Sequence, residues 1–235
     1  MRLDAYLSRY KIQPRSMVKL WIKKGDVTVN ACVVKDPSMT IDPNHDVIAF
    51  RDETITYVEN FTVMMNKRAG VVSARKDTRH TTVFDDLSPA HRYDHLSIAG
   101  RLDKDTEGLI ILSTDGDLIH QLTHPKKNVF KTYLVVCDRL IDSVQPLLEP
   151  MTLLDGKNQP YTPQMPIIVS HNKNTVELKI KEGKFHQVKR MFQAIGHEVV
   201  YLKRTAIHHV ILDATLNPGQ YRMLTEIELA QLRKK

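Results

Sequence analysis

Two cysteines, Cys32 and Cys137, are all that the 235 residues contain. They stand far apart and form no Cys-x-x-Cys pair, so neither a disulfide framework nor a cysteine-based zinc site is suggested. No apolar run approaches the roughly 20 residues of a membrane helix. Met1-Arg2-Leu3-Asp4 lacks the apolar core of a signal peptide. A reduced, cytoplasmic protein with no membrane partner is expected. Internal repeats and low-complexity tracts are also missing. Acidic charge is the scarcer sign: 34 Lys and Arg stand against 27 Asp and Glu, for a formal net charge of +7.

The positive charge is unevenly placed. Residues 1–24 hold Arg2, Arg9, Lys11, Arg15, Lys19, Lys23 and Lys24 against Asp4 alone. Residues 179–204 hold Lys179, Lys181, Lys184, Lys189, Arg190, Lys203 and Arg204 against Glu182 and Glu198. Two remote basic clusters suggest a nucleic-acid footprint, because neutralising phosphates releases counterions. A generally basic surface would carry the same charge. The length allows two modest domains or one large one, and an apolar content of 42% is ordinary for a globular chain.

Periodicity predicts a short helix over 2–9, with Leu3, Tyr6, Leu7 and Tyr10 on one face. A second helix runs to Lys24, capped by Ser16 and ended by Gly25. Strands follow at 27–30 and 46–50. The polar stretch 51–60 reads as a linker, and Phe61 opens a second domain as a strand. Later strands are expected at 109–112, 131–136 and 175–180. One helix is expected from about Asp115 to Thr123, capped by Asp115. The clearest helix is 185–195, with Phe185, Val188, Met191, Phe192 and Ile195 apolar and Gly196 as C-cap. Strands with few helices suggest α+β with a largely antiparallel sheet.

The densest chemistry lies in Gly100-Arg101-Leu102-Asp103-Lys104-Asp105-Thr106-Glu107-Gly108, which runs straight into Leu109-Ile110-Ile111-Leu112. A charged loop held by a buried strand is a common place for catalysis. A solvated turn is the plain reading for Lys104, Asp105 and Glu107, and for Asp103 if the loop stood alone. Asp103-x-Asp105-x-Glu107-Gly108 also looks like half of a calcium loop, but Thr114 stands where the bidentate Glu belongs. His120 and His124 have the spacing of a zinc helix, yet Gln121 replaces the general-base Glu. A capped helix end before Pro125 fits them better.

Three separated segments are similar to the pseudouridine synthases, in that family's order: Gly100-Arg101-Leu102-Asp103, then Lys131-Thr132-Tyr133, then Glu182-Gly183-Lys184-Phe185-His186-Gln187-Val188-Lys189-Arg190-Met191. His186-Gln187-Val188-Lys189-Arg190-Met191-Phe192 looks most like the RsuA type, which acts on small-subunit rRNA. Asn217-Pro218-Gly219-Gln220-Tyr221-Arg222-Met223-Leu224-Thr225 resembles the family's ending. Arg2-Leu3-Asp4, Leu7, Ser16, Ile22 and Gly25-Asp26-Val27-Thr28-Val29-Asn30 resemble the αL RNA-binding module of ribosomal proteins. Arg68 departs from the family's proline after Lys67, and Ile207-His208-His209 departs from an expected glycine.

The resemblance implies an αL RNA-binding domain over 1–58 and a catalytic domain over 59–235, with a mostly antiparallel mixed sheet. It implies isomerisation of uridine to pseudouridine in 16S rRNA, at about position 516, by base flipping. Asp103 would be the nucleophile, Lys189 the cation facing it, and Tyr133 a stacking or proton-relaying group. Val188 would pack on the base. Arg101, His186 and Arg190, with Arg9, Arg15, Lys19, Lys23 and Lys24 of the first domain, would contact RNA. An isomerisation without redox change needs no cofactor and no metal. The expected partner is ribosomal RNA, naked or in an assembly particle, bound by a monomer. Taken singly, Tyr133 reads as a core tyrosine and Lys189 as an exposed helix lysine. The rival readings are the same chemistry on 23S rRNA, a non-catalytic ribosome-assembly factor, and a metal hydrolase built on His120 and His124.

Overall fold

The computed structural model describes residues 1–10, 15–55, 60–92 and 95–234, without the side chains of 9, 10 and 90. The chain is α+β and divides into two compact units, 1–61 with 87–96 and 62–86 with 97–235. The expected boundary at 58/59 lies just ahead of that division, which also counts 87–96 with the first unit. The helices are α1 (Leu3–Tyr10), α2 (Arg15–Lys24), α3 (Gly116–Thr123), α4 (Gln187–Ala194) and α5 (Glu226–Arg233). The first unit holds strands β1 (Val27–Val29), β2 (Cys32–Val33), β3 (Ile48–Phe50) and β4 (Glu53–Thr54). The second holds β5 (Thr62–Lys67), β6 (Ser97–Ala99), β7 (Glu107–Ser113), β8 (Lys131–Cys137), β9 (Leu153–Leu154) and β10 (Pro160–Tyr161). It continues with β11 (Ile167–Asn172), β12 (Thr175–Ile180), β13 (Val199–Ile207), β14 (Val210–Ile211) and β15 (Tyr221–Met223). No helix among the described residues is long and apolar enough to cross a membrane.

The main sheet of the second unit runs β11-β12-β8-β13-β7-β5-β15, with β14 on β13 and β6 on β7. Every pairing in it is antiparallel except β7 with β13. That parallel pair needs close approach: a Cβ on Gly108 would lie 2.2 Å from the Arg204 carbonyl oxygen, at a φ of +102°. Only glycine fits both demands. Two apolar clusters fill the unit. Tyr133, Val135, Val176, Leu178, Val188, Met191 and Phe192 belong to one. Leu109, Ile111, Leu118, Leu122 and Leu232 belong to the other. Asp115 caps α3 by accepting from the backbone of Asp117 and Leu118.

Helix α4 is shorter than its pattern suggests. It opens at Gln187 because His186 takes a left-handed conformation, φ 51°. Phe185 therefore lies outside the helix and is half-exposed, a correction to its expected place on the apolar face. Ile195 packs against the core, and Gly196 follows at φ +84°. Arg68, where a proline was expected, makes a two-pronged bond to Asp86, with Nη2 at 3.0 Å and Nε at 3.1 Å.

In the first unit Leu3, Tyr6 and Leu7 of α1 are buried, as are Val18 and Ile22 of α2 and Val27, Val29 and Ile48 of the small sheet. Helix α2 already includes Arg15, so Ser16 lies inside its first turn and is not the cap. The expected linker begins as structure, since β4 pairs with β3; residues 56–59 lie outside the described residues. Asp4 is fully buried and binds two guanidiniums, Arg2 (Nε to Oδ1, 3.1 Å) and Arg15 (Nη2 to Oδ1, 3.0 Å), with Lys19 Nζ at 4.0 Å. Burial alone would raise its carboxyl; the two guanidiniums outweigh it and hold the group down to about 2.

A carboxyl depressed in the folded state stabilises the fold above its unfolded value of about 3.9 and loses that contribution as pH falls through the folded one. Asp4→Asn should cost about 1–3 kcal/mol at neutral pH, since it leaves two guanidiniums short of their acceptor. Trp21, the single tryptophan, lies 4.4 Å from Phe50 between ring centroids and reports on this unit. Urea unfolding followed by its fluorescence should show a lower midpoint for the variant at pH 7, with the gap closing as pH falls from 5 toward 2. A gap that persists unchanged at pH 2 would mean that Asp4 does not stabilise the unit through its charge.

Candidate active site

The Asp103 loop lies between β6 and β7, and its backbone is pinned at alternate carbonyls. Gly100 accepts from Arg204 Nη2 at 2.9 Å. Leu102 accepts from Ser73 Oγ at 2.8 Å, while its own N–H donates back to that oxygen at 3.0 Å. The Lys104 carbonyl takes the Gly70 N–H at 2.8 Å and Lys67 Nζ at 3.3 Å. Thr106 accepts from Lys67 Nζ at 2.7 Å. Between these anchors Thr106 N donates to the Asp103 carbonyl at 3.1 Å and closes a turn. Every second carbonyl is held, so the side chain between them has a fixed base.

Arg204 and Lys67 are fully buried, at 1% and 0% exposure. Arg204 also donates through Nε to the Leu109 carbonyl at 2.8 Å and lies 3.5 Å from the Tyr133 hydroxyl. Among the described residues no carboxylate pairs directly with it. Burial lowers the Lys67 ammonium to about 8, against the pull of Asp105, Asp103 and Glu107. Burial and the charge of Arg204 likewise lower Lys131 to about 8. Positive charge thus lies beneath the loop, directed at its carbonyls and its carboxylates. Sequence reasoning missed Lys67, Ser73 and Arg204 as parts of the site.

A cleft of about 550 Å³ opens over the loop. Its walls include Arg101, Asp103, Tyr133, His186 and Val188, drawn from all three sequence motifs. Ile98, Leu102, Ile180 and Leu202 add apolar surface, and Lys184 adds a further cation. Tyr133 and Val188 are nearly buried, whereas Arg101 is exposed. The Asp103 side chain is 32% exposed, and His186 Nε2 lies 3.6 Å from its Oδ1. An apolar slot ending in a carboxylate, with cations at its mouth, suits a flat base on a charged backbone.

Lys189 is the main correction. It does not face Asp103; its Nζ lies 2.6 Å from both oxygens of Asp105. Asp105, two residues further along the loop, offers both oxygens to one ammonium. Burial alone would raise the Asp105 carboxyl, but the bond to Lys189 outweighs it and holds the group low. Arg190 is also occupied. It donates to the Leu154 carbonyl and, at 3.0 Å, to that of Asp155, and it lies over the Phe185 ring. Glu107 accepts the Tyr201 hydroxyl at 2.9 Å, so the carboxylates of the calcium reading have other partners. His124 Nδ1 accepts the Lys126 N–H, which makes it a cap for the turn that follows α3. No group of three His, Cys, Asp or Glu among the described residues could hold a metal ion.

In the first unit Arg15 and Lys19 turn to Asp4 while staying half-exposed. Lys23 and Lys24 are exposed and make no ion pair among the described residues. The Arg9 side chain lies outside the described residues.

Residues 61–194 match the family described as RNA pseudouridylate synthase, and residues 1–47 match the S4 domain. The chain belongs to the RNA pseudouridylate synthase family. A Bacillus subtilis protein described as an uncharacterized RNA pseudouridine synthase is 42% identical, spanning all of this chain and 99% of its own length. Ribosomal small subunit pseudouridine synthase A of Haemophilus influenzae is 38% identical over the full length of both chains. Its Escherichia coli counterpart is 34% identical over 99% of this chain and all of its own. A solved pseudouridylate synthase superposes with a TM-score of 0.67 at 35% identity, covering 99% of each chain. The reaction of this synthase is therefore the isomerisation of uridine to pseudouridine in RNA.

The buried fork of Arg204 and the outer Lys189–Asp105 pair should respond differently to substitution. Arg204→Lys keeps the charge but loses the geometry that reaches two carbonyls. It should cost about 3 kcal/mol of stability and most of the activity. Asp105→Asn removes a partner whose side chain is 71% exposed and should cost under about 1 kcal/mol. Denaturation midpoints of the two variants check this; equal losses would refute the assignment of the loop's rigidity to Arg204.

Proposed function

We propose that this protein isomerises a specific uridine of small-subunit 16S rRNA by flipping the base into the Asp103 cleft. The observation that carries this reading is that, among the described residues, Asp103 is the one carboxylate lining a cleft built from three separated motifs. Its carboxylate attacks C1′ of the flipped nucleotide and displaces uracil through N1. The uracil rotates, and C5 takes the place of N1 on C1′. A carboxylate is ionised at neutral pH and needs no activating base to act as nucleophile. No redox step occurs and no cofactor is required. Tyr133 and Val188 flank the base, while Arg101 holds the strand from which it came. The relatives named for the small ribosomal subunit support that RNA as substrate.

Residues 1–58 serve, in this reading, as the anchor on folded rRNA, with 59–235 as the catalytic part. The protein works as a cytoplasmic monomer on naked RNA or on an assembly particle. Lys23 and Lys24 are the strongest phosphate contacts of the anchor, because Asp4 already engages Arg15 and Lys19.

Asp103→Asn keeps the shape of the side chain and removes its nucleophile. Product formation should vanish while RNA affinity stays within about threefold, because binding rests on other groups. Pseudouridine mapping in 16S rRNA from cells carrying the parent or the variant locates the target. Turnover by the purified variant near the parent's would sink the reading.

Changing Lys23 and Lys24 to serine should flatten the salt dependence of RNA binding. Each lost phosphate contact removes about 0.7–0.9 from the slope of log K against log salt, so a drop of about 1.5 is expected. An unchanged slope would show that these lysines do not touch the RNA.

A further inference from the structure

Flipping one base leaves its neighbouring phosphates on the strand, and those charges need partners beside the Asp103 cleft. Ser73-Ala74-Arg75-Lys76-Asp77-Thr78-Arg79-His80-Thr81 forms a loop after β5, exposed from Arg75 onward. We propose that this loop is an RNA contact of the second unit, which grips the phosphate backbone next to the target uridine through Lys76 and Arg79. The inference rests on the Asp103 cleft as the place of conversion.

The loop is closed and braced. Its ends meet where the Val72 N–H donates to the Thr81 carbonyl at 3.0 Å and the Val83 N–H to the Val72 carbonyl at 3.1 Å. Ser73, at its start, exchanges two hydrogen bonds with the Leu102 backbone. Near its end, His80 Nδ1 faces Lys104 Nζ at 3.4 Å. Leu102 and Lys104 are the two residues that flank Asp103. The basic loop and the Asp103 loop are thus tied on both sides of that carboxylate, and Lys104 continues the row of positive charge toward the cleft.

Within the loop Arg75, Lys76, Arg79 and His80 stand against a single acid, Asp77. Asp77 Oδ1 accepts the N–H groups of Arg79 and His80, both at 2.8 Å. Those two bonds hold its carboxyl below the usual carboxylate range and set the turn that carries Arg79. Asp85 Oδ2 likewise accepts the Thr82 N–H at 2.8 Å and the Thr82 hydroxyl at 3.0 Å. These are the two acids of a hollow of about 560 Å³ lined by Arg75, Lys76, Asp77, Thr78, Thr82 and Asp85. Arg75 turns to the Phe84 ring, 5.3 Å from its centre. Lys76 and Arg79 are exposed and bond no carboxylate among the described residues. Like charges crowded on one rigid loop repel each other and cost stability.

The occupant follows from the same side chains. Residues 75–81 include no apolar residue, whereas protein contacts centre on aromatic and apolar anchors. A phosphate chain suits them: Arg79 offers a planar fork of donors and Lys76 a point charge. Contacts of this kind fix register and orientation on the strand and carry no base readout. The loop therefore adds affinity and placement beside the cleft, and leaves the choice of base to the cleft itself.

The test uses the full-length protein and an rRNA transcript that the parent converts. Changing Lys76 and Arg79 together to serine should lower the slope of log K against log salt by about 1.5. KM should rise severalfold while the rate at saturating RNA stays within about twofold of the parent's. Lys173→Ser removes a charge in the turn between β11 and β12, at the far edge of the sheet, and should leave the slope as it was. Synthetic RNA with one neutral methylphosphonate linkage beside the converted uridine then locates the contact. Such a linkage should weaken binding to the parent and cost the double variant little more. A linkage on either side that costs both proteins equally overturns the proposal. So does a slope that falls no further in the double variant than in Lys173→Ser. A lower saturating rate at unchanged KM also overturns it, because the loop would then only brace Asp103. Asp103→Asn on the same RNA tests the cleft separately: conversion by that variant would strike the cleft reading and leave the slope and linkage results to decide the loop.

Discussion

The site depends on two buried cations that spend their hydrogen bonds on backbone. Arg204 and Lys67 donate to the carbonyls of Gly100, Lys104, Thr106 and Leu109, and Ser73 clamps Leu102 between them. A loop carrying several charges would otherwise sample many conformations in water. Holding alternate carbonyls removes that freedom from the backbone and leaves the Asp103 side chain in the wall of the cleft. The parallel pairing of β7 with β13 makes this possible, because it sets Arg204 beside Gly108 at the point where the loop enters the sheet. Gly108 and Arg204 are thus one device: the missing Cβ lets the strand that carries the guanidinium come close.

Burying a cation without a directly paired carboxylate is costly. The Lys67 ammonium shows that cost as a value lowered to about 8. Partial compensation comes from the carbonyls it binds and from the carboxylates of the loop. The same arrangement reassigns the loop's charges. Lys189 neutralises Asp105 at the outer edge, so the cations nearest the backbone of the loop lie beneath it. The carboxylate that holds the loop's outer ion pair and the carboxylate that lines the cleft are therefore different groups, two residues apart in the chain.

Much of this was legible in the sequence where the signal was local. The alternation of Thr175–Ile180 gave that strand its full extent, and Asp115 caps α3 as its position implied. The three motifs do meet in one cleft, with Asp103, Tyr133, Val188 and His186 in its wall. What was illegible depends on contacts far apart in sequence. Arg204 reads as one more basic residue in a cluster, and nothing near it reveals a carbonyl a hundred residues away. Lys67 and Ser73 look like strand and turn residues for the same reason. Helical spacing continues through Phe185, but the left-handed His186 keeps Phe185 out of the helix, so α4 is shorter than its pattern implies. The resemblance implies Lys189 facing Asp103, whereas its ammonium binds Asp105, and no local signal in the chain separates these two carboxylates.

Charge count and available charge also differ in the first unit. Its basic cluster looks uniform as sequence, yet Asp4 draws in Arg2 and Arg15 and lies within 4.0 Å of Lys19. One buried carboxylate therefore ties the start of α1 to the start of α2 and orients the two helices of the unit. The same bonds reduce the charge those residues can offer a phosphate, and among the described residues of the cluster they leave Lys23 and Lys24 at the end of α2 as exposed cations. A helix C-terminus is an unfavourable place for an anion, because the backbone dipole presents its negative end there. Lys23 and Lys24 in the last turn counter that field. Their value to the fold and their availability to a phosphate therefore compete, because the negative end of the helix dipole and an anionic phosphate draw on the same two ammonium groups.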